Sequence, residues 1–166
     1  MDFISHGLWG GAAFGRKSKK FFLLAAGISI LPDILTEGLF FVLYLLNIGG
    51  MPGWEQGHPN ITDYPLFAQT LYNVTHSLIV FAFVFLAIWV IRKKPLWIIG
   101  AWGLHILIDI PTHSLALFPT PFLWPLSDWR INGIGWDNPY VFAIDITLLI
   151  IAYSIWLVPR WRKRKG

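Results

Sequence analysis

The sequence predicts an all-α fold, a polytopic membrane helix bundle of about four transmembrane helices plus a short N-terminal helix, in a single domain over residues 1–166. Composition is the first reason. Hydrophobic residues make up 55% of the chain and charged ones 13%, and mean hydropathy is +0.57, too apolar for an ordinary soluble domain. Aromatic usage is the second: it reaches 17%, with 10 Trp, several near the ends of apolar segments as in interfacial belts. The third is the placement of basic residues, which cluster at Arg16 to Lys20, Arg92 to Lys94 and Arg160 to Lys165, each beside a long apolar run. The positive-inside rule puts all of these on the cytoplasmic side. A nucleic-acid protein would carry its basic residues on one soluble face, so the net charge of +4 is read as topology and no nucleic-acid partner is expected. The absence of cysteine excludes disulfides and thiolate metal sites.

Taken in order, residues 3–14 form an apolar, Gly-rich segment too short for a comfortable span, expected as a re-entrant or packed helix. With no basic n-region and with His6 inside the apolar stretch, it does not read as a signal peptide. Residues 21–48 form a long apolar helix interrupted by Pro32, Asp33 and Glu37, and Gly49, Gly50, Pro52 and Gly53 end it. A polar loop over 54–65 carries Glu55, His58 and Asp63, of which His58 is expected to be an ordinary exposed histidine. Residues 66–91 read as a second long helix and 95–110 as a third, which Pro111 should kink or end. A Pro-, Trp- and Gly-rich loop over 119–139 precedes the last helix, 140–158, broken only by Asp145. The basic clusters then send helix 21–48 outward, 66–91 inward, 95–110 outward and 140–158 inward, leaving the loops 49–65 and 119–139 outside the cytoplasm.

The stretch HILIDIPTH, residues 105–113, carries the chemistry. His105, Asp109 and His113 recur every fourth residue, so a helix aligns them along one face of a greasy segment. Such groups are costly at low dielectric unless paired or bound to metal, and they are ligand types for Zn, Mn or Fe. At about 1.5 Å per residue, Asp33 lies about 20 Å beyond Lys20, and His76 about 24 Å from Arg92. On the same count His105, Asp109 and His113 lie roughly 15, 21 and 27 Å from Pro95, and His6 about 15 Å from Arg16. Groups from separate segments thus share a depth band in the outer half of the bilayer, which favours one polyvalent metal site. Gln69, Asn73, His76 and Ser77 also make a polar stripe on a helix whose opposite face is apolar, as expected beside an internal polar cavity. Each group also has a local alternative. A lone histidine can be a hydrogen-bonded packing residue, Asp109 a partner for His105 alone, Asp33 a helper for backbone groups freed by Pro32 or a cap, and Asp145 an anchor for a Ser or Tyr.

Ser5-His6, Pro32-Asp33, Thr75-His76-Ser77, His105 to His113, and Leu123-Trp124-Pro125 occur in an order and spacing that resemble the LexA-binding, inner-membrane metal-dependent hydrolase family (YdjM-like). The resemblance covers most of the chain. Departures are Leu35 where a second acidic residue is usual, Leu71-Tyr72-Asn73 where the family often has His-Arg, and Ser114 where it has glycine. The His-x-x-x-Asp element is more distantly similar to the zinc-dependent phospholipase C and P1-nuclease group, which implies phosphoester hydrolysis by fold-level analogy. The resemblance implies an integral protein of a bacterial or archaeal type of cytoplasmic membrane.

The expected centre is His6, Asp33, His76, His105, Asp109 and His113 around a divalent metal, zinc or equally manganese, as one or two ions. Asp33 or Asp109 would bridge or act in catalysis, and Glu37, one turn after Asp33, is a further base candidate. Asn73 and Arg130 are the substrate-binding candidates. Arg130 would bind a phosphate through paired donors, from an outer loop that also holds Asp128, Asn132 and Asp137 among Trp124, Trp129 and Trp136. That loop reads equally well as an interfacial cap. The expected partners are membrane lipids and a lipid-like or phosphoester substrate near the outer face. The competing expectation is a non-enzymatic membrane protein: a structural bundle, a metal-binding protein or an inactive relative of the hydrolases. Transport is disfavoured because the cytoplasmic halves, residues 78–91 and 148–158, are almost wholly apolar.

Overall fold

The computed structural model describes residues 1–53 and 60–165, with side chains described through residue 157. Glu55 and His58 lie outside the described residues. The described chain is all-helical, and its sole β-type pairing is an isolated bridge between Ser114 and Leu117. Helix α1 spans Phe3–Phe14, capped by Asp2, whose carboxylate accepts from the N–H groups of Ile4 and Ser5 at 3.0 Å each. Partial burial works against ionisation of Asp2, yet these donors hold its carboxyl below the ordinary carboxylate range.

Helix α2 spans Lys19–Asp33, opened by Ser18, whose side chain accepts from the N–H of Phe21. It runs through a wide π turn at Ile34–Gly38 into α3, Leu39–Leu45. Pro32 removes one backbone donor from this helix, and the wide turn begins right after Asp33. Thr36 donates to the carbonyl of Pro32 at 2.8 Å, satisfying an acceptor in the distorted stretch.

The helix expected over 66–91 is broken. Helix α4 spans Leu66–Thr75 and α5 spans Leu78–Arg92, with a 58° bend between them. No proline or glycine sits there; the cause is Ser77. Its backbone is extended, and its hydroxyl accepts from the N–H groups of Ile79 and Val80 at 3.1 Å each, starting a new helix. The same hydroxyl donates to the Trp124 carbonyl, and the Leu78 N–H donates to the Phe122 carbonyl at 3.0 Å. Trp102 Nε1 donates to the freed carbonyl of Thr75 at 2.6 Å. The break is therefore satisfied by protein, as backbone in an apolar setting must be.

A 3-10 turn at Trp97–Ile99 leads into α6, Gly100–Thr112, which ends one residue beyond Pro111. Residues 113–138 then form a long loop, and α7 spans Pro139–Lys165. The loop folds back on the end of α6: Gly133 and Ile134 donate to the carbonyls of His113 and Pro111 at 2.9 and 3.0 Å. A side chain at Gly133 would collide with the Pro111 carbonyl, so this approach requires glycine.

Two helical stretches are long and apolar enough to cross a membrane, Lys19–Leu45 and Pro139–Leu157, with a third if the bent α4–α5 pair is one span. Trp97–Thr112 is a shorter apolar helix. The outward surfaces of α5 and α7 expose Phe83, Val90, Ile91, Ile144, Ile150 and Ile155, as expected for surface that meets lipid. Helix α1 packs closely on α2 because its glycines face it. A Cβ at Gly10 would sit 2.9 Å from the Ala25 carbonyl oxygen and 2.5 Å from Ser29 Cβ, inside contact distance. The Arg16 guanidinium lies 5.9 Å from the Trp156 ring centre, and Phe14 packs against Gly100.

Candidate metal centre

The centre is assembled from α1, the end of α2, the α4–α5 break and α6. His105 and Asp109 are one turn apart on the inner face of α6, and both are solvent-inaccessible. Asp33 arrives at the end of α2, where it makes no capping hydrogen bond. That removes the capping role considered for it; its Oδ1 lies 3.4 Å from both His76 Nε2 and His105 Nε2. His76 stands at the break itself, as the residue that ends α4. Asp33, His76, His105 and Asp109 each offer one ligand atom, and these atoms all lie within 4.8 Å of one another.

The remaining expected ligands join from the other side. His6 Nε2 lies 2.9 Å from Asp109 Oδ1, and His113 Nε2 lies 3.5 Å from the same oxygen. The rings of His6 and His105 are 3.9 Å apart. The α-ammonium of Met1 also reaches this corner, 2.8 Å from Asp109 Oδ1 and 3.0 Å from His113 Nε2.

Outer contacts orient the imidazoles. His113 Nδ1 lies 2.7 Å from the carbonyl of Phe118, an acceptor only, so Nδ1 carries the proton and Nε2 presents its lone pair inward. Likewise His76 Nδ1 faces the Tyr72 carbonyl at 3.2 Å and the Thr75 hydroxyl at 2.9 Å, leaving Nε2 toward Asp33. Tyr72 stacks on His76 with ring centres 4.2 Å apart, and its hydroxyl donates to the Phe118 carbonyl at 2.6 Å. Tyr72 and Phe118 belong to a small apolar core with Phe40, Ile61, Tyr64 and Ala68, which stiffens this wall.

The donor set suits a metal ion. His105 Nε2 and Asp109 Oδ2 approach to 3.0 Å yet neither makes a hydrogen bond, and Asp33 Oδ2 is likewise buried without a partner. Nitrogen lone pairs and carboxylate oxygens that converge without hydrogen-bond geometry are an arrangement a metal satisfies. The Asp33, His76, His105 and Asp109 group can hold a metal ion. No protein-family model, curated protein or solved structure matches the chain.

The other expected residues divide. Arg130 Nη2 lies 3.4 Å from Asn73 Oδ1, and Nη1 lies 3.4 Å from the Pro119 carbonyl, so the structure pairs both substrate-binding candidates one turn before His76. Glu37 is half-buried in the π turn. Asn132 is an internal brace, accepting from the Leu115 N–H at 2.9 Å. Asp145 stands apart from the cluster: its carboxylate accepts from the Ser5 hydroxyl at 2.6 Å and from Trp9 Nε1 at 2.7 Å, tying α7 to α1. A Ser partner was expected there; Trp9 was not. Tyr72, the Phe118 carbonyl and the Met1 amine were missed altogether. Only Tyr72 left a signal, four residues before His76.

Proposed function

We propose that this chain is a membrane-bound metal-dependent hydrolase, a phosphoesterase acting on a lipid-like substrate at the outer face of a cytoplasmic membrane. The observation that carries this reading is the four-ligand group of Asp33, His76, His105 and Asp109, buried in a chain whose outer surface is apolar. Buried ionisable groups gathered from separate helices, with His105 Nε2, Asp109 Oδ2 and Asp33 Oδ2 lacking hydrogen bonds, are costly to keep for packing alone. A divalent ion, zinc or manganese, would supply a polarised phosphoryl oxygen and an activated water. The protein's part is to hold the ligands through Tyr72 and Phe118, to exclude bulk water, and to present Arg130 for a phosphate. Glu37, half-buried one turn after Asp33, is the candidate to take a proton. The motif resemblance to the YdjM-like hydrolases supports the same class, as does the more distant similarity to the phospholipase C group.

The reading includes four crossings, with α4–α5 as one bent span and Trp97–Thr112 as a short one, and basic ends in the cytoplasm. At about 1.5 Å per residue from Gly100, Asp109 lies about 14 Å into α6, away from the basic end. A second reading, a non-catalytic bundle, draws on the Met1 ammonium, which already neutralises Asp109. Detergent-purified protein, stripped and reloaded with zinc or manganese, separates the two in an assay on phospholipid micelles and simple phosphoesters. Metal-dependent cleavage that His105→Ala abolishes supports hydrolysis; metal binding without cleavage of any phosphoester supports the bundle.

A further inference from the structure

We propose that a second divalent cation binds beside the first, on His6, His113 and the Oδ1 atom of Asp109, so that Asp109 bridges a dinuclear centre. This rests on the metal-centre reading above and deepens it. The two oxygens of Asp109 face different partners. Oδ2 looks to His105 at 3.0 Å and to His76 at 3.9 Å, within the four-ligand group. Oδ1 looks to His6 at 2.9 Å and His113 at 3.5 Å, neither of which belongs to that group.

The second corner asks for positive charge. His113 gives its Nδ1 proton to the Phe118 carbonyl, so its Nε2 lone pair points at a carboxylate oxygen. Two buried acceptors at that distance repel unless a cation lies between them. The Met1 ammonium does so here, within 3.0 Å of both. A metal ion taking that position would replace the hydrogen bond between His6 Nε2 and Asp109 Oδ1, with the His6 proton moved to its partnerless Nδ1, and would gain two imidazoles and a carboxylate oxygen, the three-ligand pattern that leaves coordination positions for water and substrate. The four-ligand group beside it is closed by comparison. Two ions sharing a carboxylate would be suited to clamp the attacking and leaving oxygens of an in-line displacement, the chemistry of the phosphoester substrate already proposed.

The test is metal stoichiometry and Mn(II) magnetic resonance on the full chain in detergent. The wild type should bind about two Mn(II) per chain and show an exchange-coupled signal. His113→Ala and, separately, His6→Ala should each bind about one and show the spectrum of an isolated ion, while Asp109→Ala should bind none. About one ion per chain in the wild type, or two in both His variants, overturns the second site while leaving the first. No bound metal in the wild type overturns the metal centre as a whole. Two independent ligand variants, each checked for a monodisperse elution profile, guard against misfolding of either.

Discussion

Asp109 Oδ1 lies 2.9 Å from the Nε2 of His6, a residue 103 positions earlier in the chain and on a different helix. This contact ties the short N-terminal helix to the α6 stretch that carries most of the chemistry. It depends on α1 lying close to α2, and that depends on glycine.

Gly10 is the first place to test that packing. A larger side chain there meets the backbone of Ala25, which cannot move aside as a flexible side chain would. Gly10→Val should cost about 1–3 kcal/mol through overpacking. Thermal unfolding in detergent should show the lower midpoint, and metal affinity should fall with it as His6 is displaced.

Asp145 holds the other side of α1. Asp145→Ala leaves the Ser5 hydroxyl and the Trp9 indole without their acceptor, at a cost of about 1–3 kcal/mol. The four-ligand group does not contain Asp145, so metal binding by His76 and His105 should survive in the folded fraction. Calorimetry beside metal analysis would show a lower midpoint with metal retained; loss of metal at an unchanged midpoint would contradict a purely anchoring role.

The bend at His76–Ser77 gives a third prediction. Ser77→Ala removes the cap on α5 and the link to the Trp124 carbonyl, worth about 1 kcal/mol for the cap alone. With the cap gone, α4 and α5 are freer to join into one helix and carry His76 away from Asp33. Metal affinity measured by competition with a chelator should drop more for Ser77→Ala than for Ser77→Thr, which keeps the hydroxyl.

Tyr72 acts on the centre through His76 and the Phe118 carbonyl. Tyr72→Phe keeps the ring stack and deletes only the hydroxyl bond. Outer-shell changes of this kind cost about 10–100-fold in metal affinity, and chelator competition should find a loss in that range.

These predictions also mark how far the residues could be read in one dimension. His105 and Asp109 were legible because a helix turns their spacing into one face; His113 was expected on the same face, but α6 ends at Thr112 and its extended backbone brings it to the centre from the start of the loop. Counting depth from the basic clusters added Asp33, His76 and His6, because in a membrane bundle residues at one depth can meet across helices. The break at His76–Ser77 was hidden. Residues 66–91 hold no Pro or Gly to mark a break, and the cap works only because the loop at Phe122 and Trp124 and the indole of Trp102 satisfy the opened backbone. The same limit applies to Trp9, whose bond to Asp145 spans 136 residues and has no periodicity to reveal it.

The most direct test of the buried cluster as a metal centre is zinc K-edge absorption of the zinc-loaded protein. The expected result is a nitrogen and oxygen shell at about 2.0–2.1 Å with the outer scattering of several imidazoles. Zinc in an all-oxygen hydration shell, with no imidazole scattering, would contradict it.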